Sequence, residues 1–319
     1  MVAYNTLIAG VSLSLVAGLA TAADYPAKDV TMIVPWSAGG GTDTIARSLI
    51  AEAEECFGTN INVVNKTGAV GAVGMGATAA ARNDGYTIGL ITFNLSTYGL
   101  LSQADLSYED FDLIQMINQS PGAITVAANS DWQTLGDLMT YAAENPGVVT
   151  VGHAGTGGAW HLSAEALASE HGAGFNYVPF DGSANVRTAL IGNHVAVATT
   201  GIDEMKQLLE AGQVRVLAVN ALERAEAFPD IPTIAQAGYP LEAPINDWRG
   251  LAAPKGLKPE IKDEIIARIK TCYESESFQA LAQERGLPLV YKDPAEFGTF
   301  LADLEASLSV AISNLGIGE

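Results

Sequence analysis

Short apolar, β-branched runs alternate with segments of helical periodicity along most of this chain, which leaves few architectures open. Such a chain folds into mostly parallel sheets covered by helices on both faces, because each helix carries the chain back to begin the next strand in the same direction. The expected strands are 30–34, 61–64, 86–92, 114–117, 124–127, 148–152, 176–179, 195–199 and 214–219. The expected helices are 42–57, 74–82, 134–144, 161–170, 184–191, 203–210, 259–273 and 294–313. Within 42–57, Ile45, Leu49, Ala53 and Phe57 share one face, and Gly58 supplies the stop. Ligands in folds of this class lie beyond the carboxyl ends of strands, where helix N-termini point. The strand-to-helix loops are therefore the segments to search.

Composition narrows the function. Of 319 residues, 36 are acidic and 16 basic, for a formal net charge of −20. That balance excludes general nucleic-acid binding and docking on anionic lipid, both of which need a basic surface. An anionic small molecule remains compatible, since a site can be locally positive inside an acidic protein. The apolar stretch from Leu7 to Leu19, followed by Ala20, Thr21, Ala22 and Ala23, reads as a secretory signal over residues 1–23, although no Lys or Arg precedes it. Periplasmic export follows as the expectation. The two cysteines, Cys56 and Cys272, either pair in an oxidising compartment or stay as buried thiols. No CxxC or Cys/His cluster suggests a metal, and no metal or cofactor is expected.

Four loops stand out. Pro35-Trp36-Ser37-Ala38-Gly39-Gly40-Gly41-Thr42-Asp43 leaves a strand and enters a helix. Its glycines permit close backbone approach, and the free N–H groups of the helix start favour an anion. It is neither a Walker loop nor a GxGxxG fingerprint, because no GK[ST] follows and Thr44 stands where the last glycine belongs. A second such loop runs from Gly152 through Gly155, Thr156, Gly157 and Gly158 to Trp160 and His161. Two anion-friendly helix starts in separate parts of the chain suit a ligand gripped between two domains. The third loop contains Phe180, Asp181, Gly182 and Ser183, and the fourth Thr199, Thr200, Gly201 and Asp203. Thr92 and Asn94, at the carboxyl end of the 86–92 strand, complete the candidate set. Each of these single residues is also explained by an ordinary cap or turn. No GxSxG or HExxH is present and the four histidines are scattered, so no catalytic residue is assigned. His161 alone sits in the first turn after a glycine loop.

Taken together, several segments resemble the solute-binding receptors of tripartite tricarboxylate transporters, the Bug family. They are YPAKDVTMIVPWSAGGGTDTIAR (Tyr25 to Arg47), VVNKTGAVGAVG (Val63 to Gly74), NDGYTIG (Asn83 to Gly89), GTGGAWHLSAEAL (Gly155 to Leu167), VPFDGSA (Val178 to Ala184), VRVLAVNALERAEAFPDIPTIAQAGYP (Val214 to Pro240) and WRGLAAPKGL (Trp248 to Leu257). The resemblance implies a two-lobed α/β Venus-flytrap of the type II-like periplasmic binding class, with two chain crossovers. One lobe would comprise residues 24–120 plus 221–319 and the other 121–220. Both cysteines would then fall in one lobe, which permits their pairing. It also implies a monomer that binds a di- or tricarboxylate, an acidic amino acid or an aromatic carboxylate. That ligand would pass to a permease of one large and one small integral-membrane subunit. The ligand residues it implies are Ser37 to Asp43 and Gly155 to His161, chiefly through backbone N–H groups. The chain departs from the family pattern at Gly158, where Ser or Thr is common, at the bulky Trp160, and at Phe180 and Asp181, where Tyr and a basic residue are common. Asp181, if it faces the cleft, repels the far end of an anion and favours a hydroxyl or ammonium group there. Two other readings compete: a periplasmic sensor presenting the carboxylate to a signalling partner, and an α/β enzyme acting on a small carboxylate.

Overall fold

The computed structural model describes residues 25–241 and 244–317, so the signal reading of 1–23 lies outside the described residues. The first lobe opens with β1 (Val30–Val34), α1 (Gly41–Leu49), α2 (Ala53–Cys56), β2 (Ile61–Asn65), α3 (Ala72–Ala79) and β3 (Thr87–Thr92). β4 (Phe111–Ala127) carries the chain into the second lobe. There follow α4 (Leu135–Glu144), β5 (Val149–His153), α5 (Ala159–Glu170), β6 (Phe175–Pro179), α6 (Ser183–Ile191), β7 (Val197–Gly201), α7 (Ile202–Glu210) and β8 (Val214–Asn220). β9 (Asn246–Pro254) returns the chain to the first lobe. α8 (Pro259–Glu274), α9 (Glu276–Arg285), β10 (Leu289–Lys292) and α10 (Pro294–Leu315) complete it.

The expected α/β alternation holds at both ends of the sheet and fails in its middle. The strand order is β2-β1-β3-β9-β4-β7-β5-β6, with β8 and β10 also paired to β4. β1 runs parallel to β2 and β3, and β5 parallel to β6 and β7. β4 is antiparallel to β7, β8, β9 and β10, and β9 to β3. The reason is topological: β4 takes the chain out of the first lobe and β9 brings it back, so the two must run in opposite directions. The segments expected as separate strands at 114–117 and 124–127 are thus one 17-residue strand. Pro121 and Gly122, which look like a break in the sequence, lie where it stops pairing with β9 and begins pairing with β7 and β8.

Residues beyond 220 still pack with second-lobe side chains. Phe228 and Ile231 are buried with Val186 and Met205, and Ile234 with Leu138 and Leu217, all in the second lobe. Ala225, Ala237, Tyr239 and Leu241 pack against the same clusters. The expected 42–57 helix breaks after Leu49, where Ile50 and Glu52 leave helical geometry, and α2 re-aims Cys56 and Phe57 at α8. There Cys56 is joined to Cys272 by a disulfide, so both cysteines lie in the first lobe.

Two contrasting kinds of helix start matter here. α4, α9 and α10 begin with side-chain caps from Thr134, Ser275 and Asp293. α1, α5, α6 and α7 begin at Gly40, Gly158, Gly182 and Gly201, none of which has a side chain to cap with. The starts of α1, α5 and α6 line one space between the lobes.

Candidate functional site

The two glycine loops face one another across the interlobe cleft, which is closed. Gln103 donates to the Thr156 carbonyl (3.0 Å), Arg187 to the Gly39 carbonyl (2.7 Å), and the Gly41 N–H points at Ser183 Oγ (3.5 Å). Gly155 lies against Trp36 and Val70, so close that a Cβ there would sit 2.6 Å from Val70 Cγ1. Only glycine fits, since φ is also +86°.

Inside the closure is a cavity of about 20 Å³, room for roughly one water. One wall is the first turns of α1 (Gly41, Thr42), α5 (Ala159, Trp160) and α6 (Ser183). Thr92, Asn94, Asp247 and Arg249 complete the lining. Trp36 divides this cavity from an outer chamber of about 650 Å³ bounded by Val70, Gly155, Thr156, Phe180, Asp181 and Asn185. Its indole N–H donates to Thr92 Oγ1 (3.2 Å), which fixes the ring as the partition.

The base of the cavity is an ion network that joins the lobes. Arg249, 2% exposed, donates from Nε to Thr42 Oγ1 (3.1 Å) and from Nη2 to Glu204 Oε1 (3.0 Å), and the same Nη2 is ion-paired with Asp247 Oδ2 (3.0 Å). Glu204 also pairs with Arg187 (3.1 Å), and Ser120 donates to Asp203. Burial, reinforced by Glu204, pushes Asp203 up to about 6. Burial likewise pushes Asp247 up to about 6, against the pull of Arg249. Gly41 abuts this network: a Cβ would stand 2.7 Å from Glu204 Cδ and 2.8 Å from Arg249 Nη2. Gly41→Ala is therefore expected to destabilise the protein by about 1–3 kcal/mol through overpacking. Urea unfolding checks this, and a change below about 0.5 kcal/mol would show that the network gives way freely.

The expected site residues divide accordingly. Trp36, Gly40, Thr42, Thr92 and Asn94 line the inner cavity; Gly155, Thr156, Phe180 and Asp181 line the outer chamber. Ser37 packs against Gly182, while Ala38 and Gly39 are exposed on the turn. Asp43 does not face the cavity. Burial works to raise its pKa, but hydrogen bonds from Arg47, the Gly39 N–H and Asn65 outweigh it and hold the carboxyl below the usual range. It anchors the loop from behind. His161 likewise turns inward: its Nδ1 accepts from the Gly157 N–H (3.3 Å) and its ring lies on His153, 4.5 Å between centroids. Burial lowers both histidines, His153 to about 4, so both are neutral and shape the second loop. Gly157 and Gly158 build that loop and line neither space; Gly158 lies beside Asn94. Thr200 is buried and donates to the Gly201 carbonyl, and Asp203 sits in the ion network.

Sequence reasoning missed Glu204, Asp247 and Arg249. The signal was present in β9: after Asn246, Asp247 and Arg249 are the two charges of a strand that then turns apolar, two apart on one face with Trp248 on the other.

A family model described as the tripartite tricarboxylate transporter family receptor matches residues 45–317. The chain is 30% identical to protein BugT of Bordetella pertussis, over 90% of this chain and 89% of that protein. It is similar in structure to an R. palustris protein, Rpa4515, solved with adipate: TM-score 0.86, 28% identity, covering 92% of this chain and 99% of that one. A TctC solute-binding protein from Polaromonas solved without ligand gives a TM-score of 0.65 at 31% identity, covering 91% of this chain and 99% of that one. The chain belongs to the tripartite tricarboxylate transporter receptor family.

Proposed function

We propose that this protein is a periplasmic receptor that binds a small carboxylate in the interlobe cleft and hands it to the integral-membrane subunits of a transporter, with no chemical step of its own. One observation carries the reading: three helices of nine or more residues, α1, α5 and α6, begin at uncapped glycines and turn their first residues onto one cavity. Each start turns first-turn N–H groups that lack i→i−4 partners outward, backed by the helix dipole, an arrangement that favours a negative group by about 0.3–2 kcal/mol per helix. The adipate in the R. palustris neighbour supports a carboxylate as that group.

Transport needs a cleft that opens. The lobes meet through polar bonds and through apolar contacts such as Gly155 on Trp36 and Val70, and they have to part for a ligand to reach the helix starts. The better match to the adipate-bound neighbour than to the ligand-free Polaromonas protein, despite lower identity and coverage within one per cent, supports lobes that change their relative placement. Calorimetric titration of the chain lacking residues 1–23 with carboxylates and their matched amides tests the reading. Binding of at least one acid, with its amide at least tenfold weaker, is expected because each helix start and the cavity donors lose their charged acceptor. Equal binding of acid and amide, or turnover of the bound acid, would overturn it.

A further inference from the structure

A groove of about 1020 Å³ runs beside the point where β4 crosses between the lobes, with Pro121 in its lining. Its two walls belong to different lobes. Ile202 and Lys206 of α7 and the segment from Ala221 to Ala227 come from the second; α9 and the turn from Gly286 to Leu289 come from the first. Where Gly286 meets Ala227 the lobes touch: a Cβ on Gly286 would stand 3.1 Å from Ala227 Cβ and 3.2 Å from Phe228 Cε2. Between its charges the groove is lined mainly by alanine, with proline, leucine and isoleucine. Leu222, 84% exposed, stands in the chain between two lining residues and adds an apolar side chain open to solvent. The charges are one-sided. Glu223, Glu226, Glu276 and Glu284 line the groove, all exposed and none paired with a cation among the described residues. The one cation in the lining, Lys206, is held by Glu210. Arg224 and Arg285, each next in sequence to one of the four, do not line it. Arg224 is turned onto Gln236 and the Pro229 carbonyl, and Arg285 borders an adjoining space with Arg187.

An apolar surface rimmed by unpaired carboxylates selects its occupant by charge. Anionic lipid, nucleic acid and a second copy of this chain, itself at −20, are all repelled. A protein segment carrying Lys or Arg among apolar residues fits, because its cations meet the four carboxylates while its apolar side chains cover the alanines. We propose that this groove is a docking surface for a basic segment of the membrane partner, and that docking there depends on lobe closure. That the partner sits in the membrane rests on the receptor reading; the chemistry of the segment does not. Since one wall moves with each lobe, a segment complementary to the closed groove binds the open form less well. By linkage, it and the cleft ligand strengthen each other's binding by the same factor.

The probe is a dye-labelled synthetic peptide of lysine, alanine and leucine, titrated by fluorescence anisotropy with the chain lacking residues 1–23 at about 0.15 M salt, where distant charges are screened. Neutralising the rim with Glu223→Gln, Glu226→Gln, Glu276→Gln and Glu284→Gln together is expected to weaken the peptide about tenfold or more. The control removes the same charge from exposed carboxylates outside the groove, with Glu54→Gln, Glu55→Gln, Glu260→Gln and Asp263→Asn, and is expected to change binding less than about twofold. All eight side chains are exposed, so neither set disturbs the core. A saturating concentration of an acid that binds the cleft is expected to tighten the peptide about fivefold or more. No binding of the peptide, or equal weakening by both sets of substitutions, would overturn the docking surface while leaving the receptor reading intact. Peptide affinity indifferent to a bound acid would overturn its dependence on closure. Failure of every acid to bind would remove the receptor reading and the closure dependence with it, while the two sets of charge variants still decide the docking surface.

Discussion

Arg249→Met is expected to lower the unfolding free energy by about 3–5 kcal/mol at neutral pH, the range for breaking a buried ion pair by removing one partner. Methionine keeps the length and apolar bulk of the arginine stem, so little of the loss is packing. What remains is Asp203, Glu204 and Asp247 buried together, with Arg187 left to balance all three. The same substitution removes the bonds from β9 to Thr42 of α1 and Glu204 of α7, which hold the base of the cleft. pH separates this cause from simple misfit. Asp203 and Asp247 already have folded pKa values near 6, above the ordinary 3.8, so the folded state binds more protons than the unfolded one between about pH 4 and 6. Their contribution to stability is present at low pH and lost as pH rises through 6. Without the guanidinium these pKa values rise further, and the variant recovers stability on going from pH 7.5 to 5.5 more than the wild type does. Urea unfolding at the two pH values measures both quantities. A loss under about 1 kcal/mol, or one that does not shrink at pH 5.5, would show that the network is not the electrostatic keystone of the closed cleft.

How much of this was legible without coordinates depends on whether a residue acts through its neighbours in sequence or through distant ones. The glycine loops at 37–43 and 155–158 were legible because strand, glycine run and helix start are contiguous, and that local order alone dictates free N–H groups aimed out of the sheet. The parallel outer strands were legible for the same reason. Arg249 and Asp247 were not, since their partners Thr42 and Glu204 lie 207 and 45 residues away from Arg249. A charge in an apolar strand announces a buried partner but not its identity. The fourth loop shows the same limit at closer range. Asp203 looked like the cleft residue of α7, yet it is the next residue, Glu204, whose longer side chain reaches across to Arg249 while Asp203 is held by Ser120. Asp43 and His161 sat in the right loops, but whether a polar side chain faces ligand or braces backbone is decided by what stands behind it. Here Arg47 and Asn65 stand behind Asp43, and His153 behind His161.

Removing the Cys56–Cys272 disulfide is expected to cost stability on a scale similar to the loss of Arg249 but to leave ligand affinity as it is. The bond closes a loop across a sequence separation of 216 residues, which encloses the whole second lobe together with both crossing strands. In the chain-entropy view a loop of that length restricts the unfolded ensemble by about 5 kcal/mol, an upper figure because native strain and residual structure reduce it. The folded side of the balance is local. Cys272 is fully buried with Phe57, Ile269 and Tyr273, and the bond staples α2 to α8 in the first-lobe core. Neither cysteine lines the cavity or the outer chamber. The double Cys56→Ala, Cys272→Ala variant and the wild type in excess dithiothreitol should therefore both unfold at lower urea, by about 3–5 kcal/mol, with the acid that binds the wild type binding each of them equally well. The loss should also appear chiefly as faster unfolding if the staple forms late, because a contact absent from the transition state is felt on the unfolding limb. Coincident urea curves with and without reductant would mean that packing of α8 on α2 holds the first lobe by itself. A fall in affinity would mean that the position of α1, one turn before α2, depends on the bond, and that the site is less rigidly framed than the ion network at its base requires.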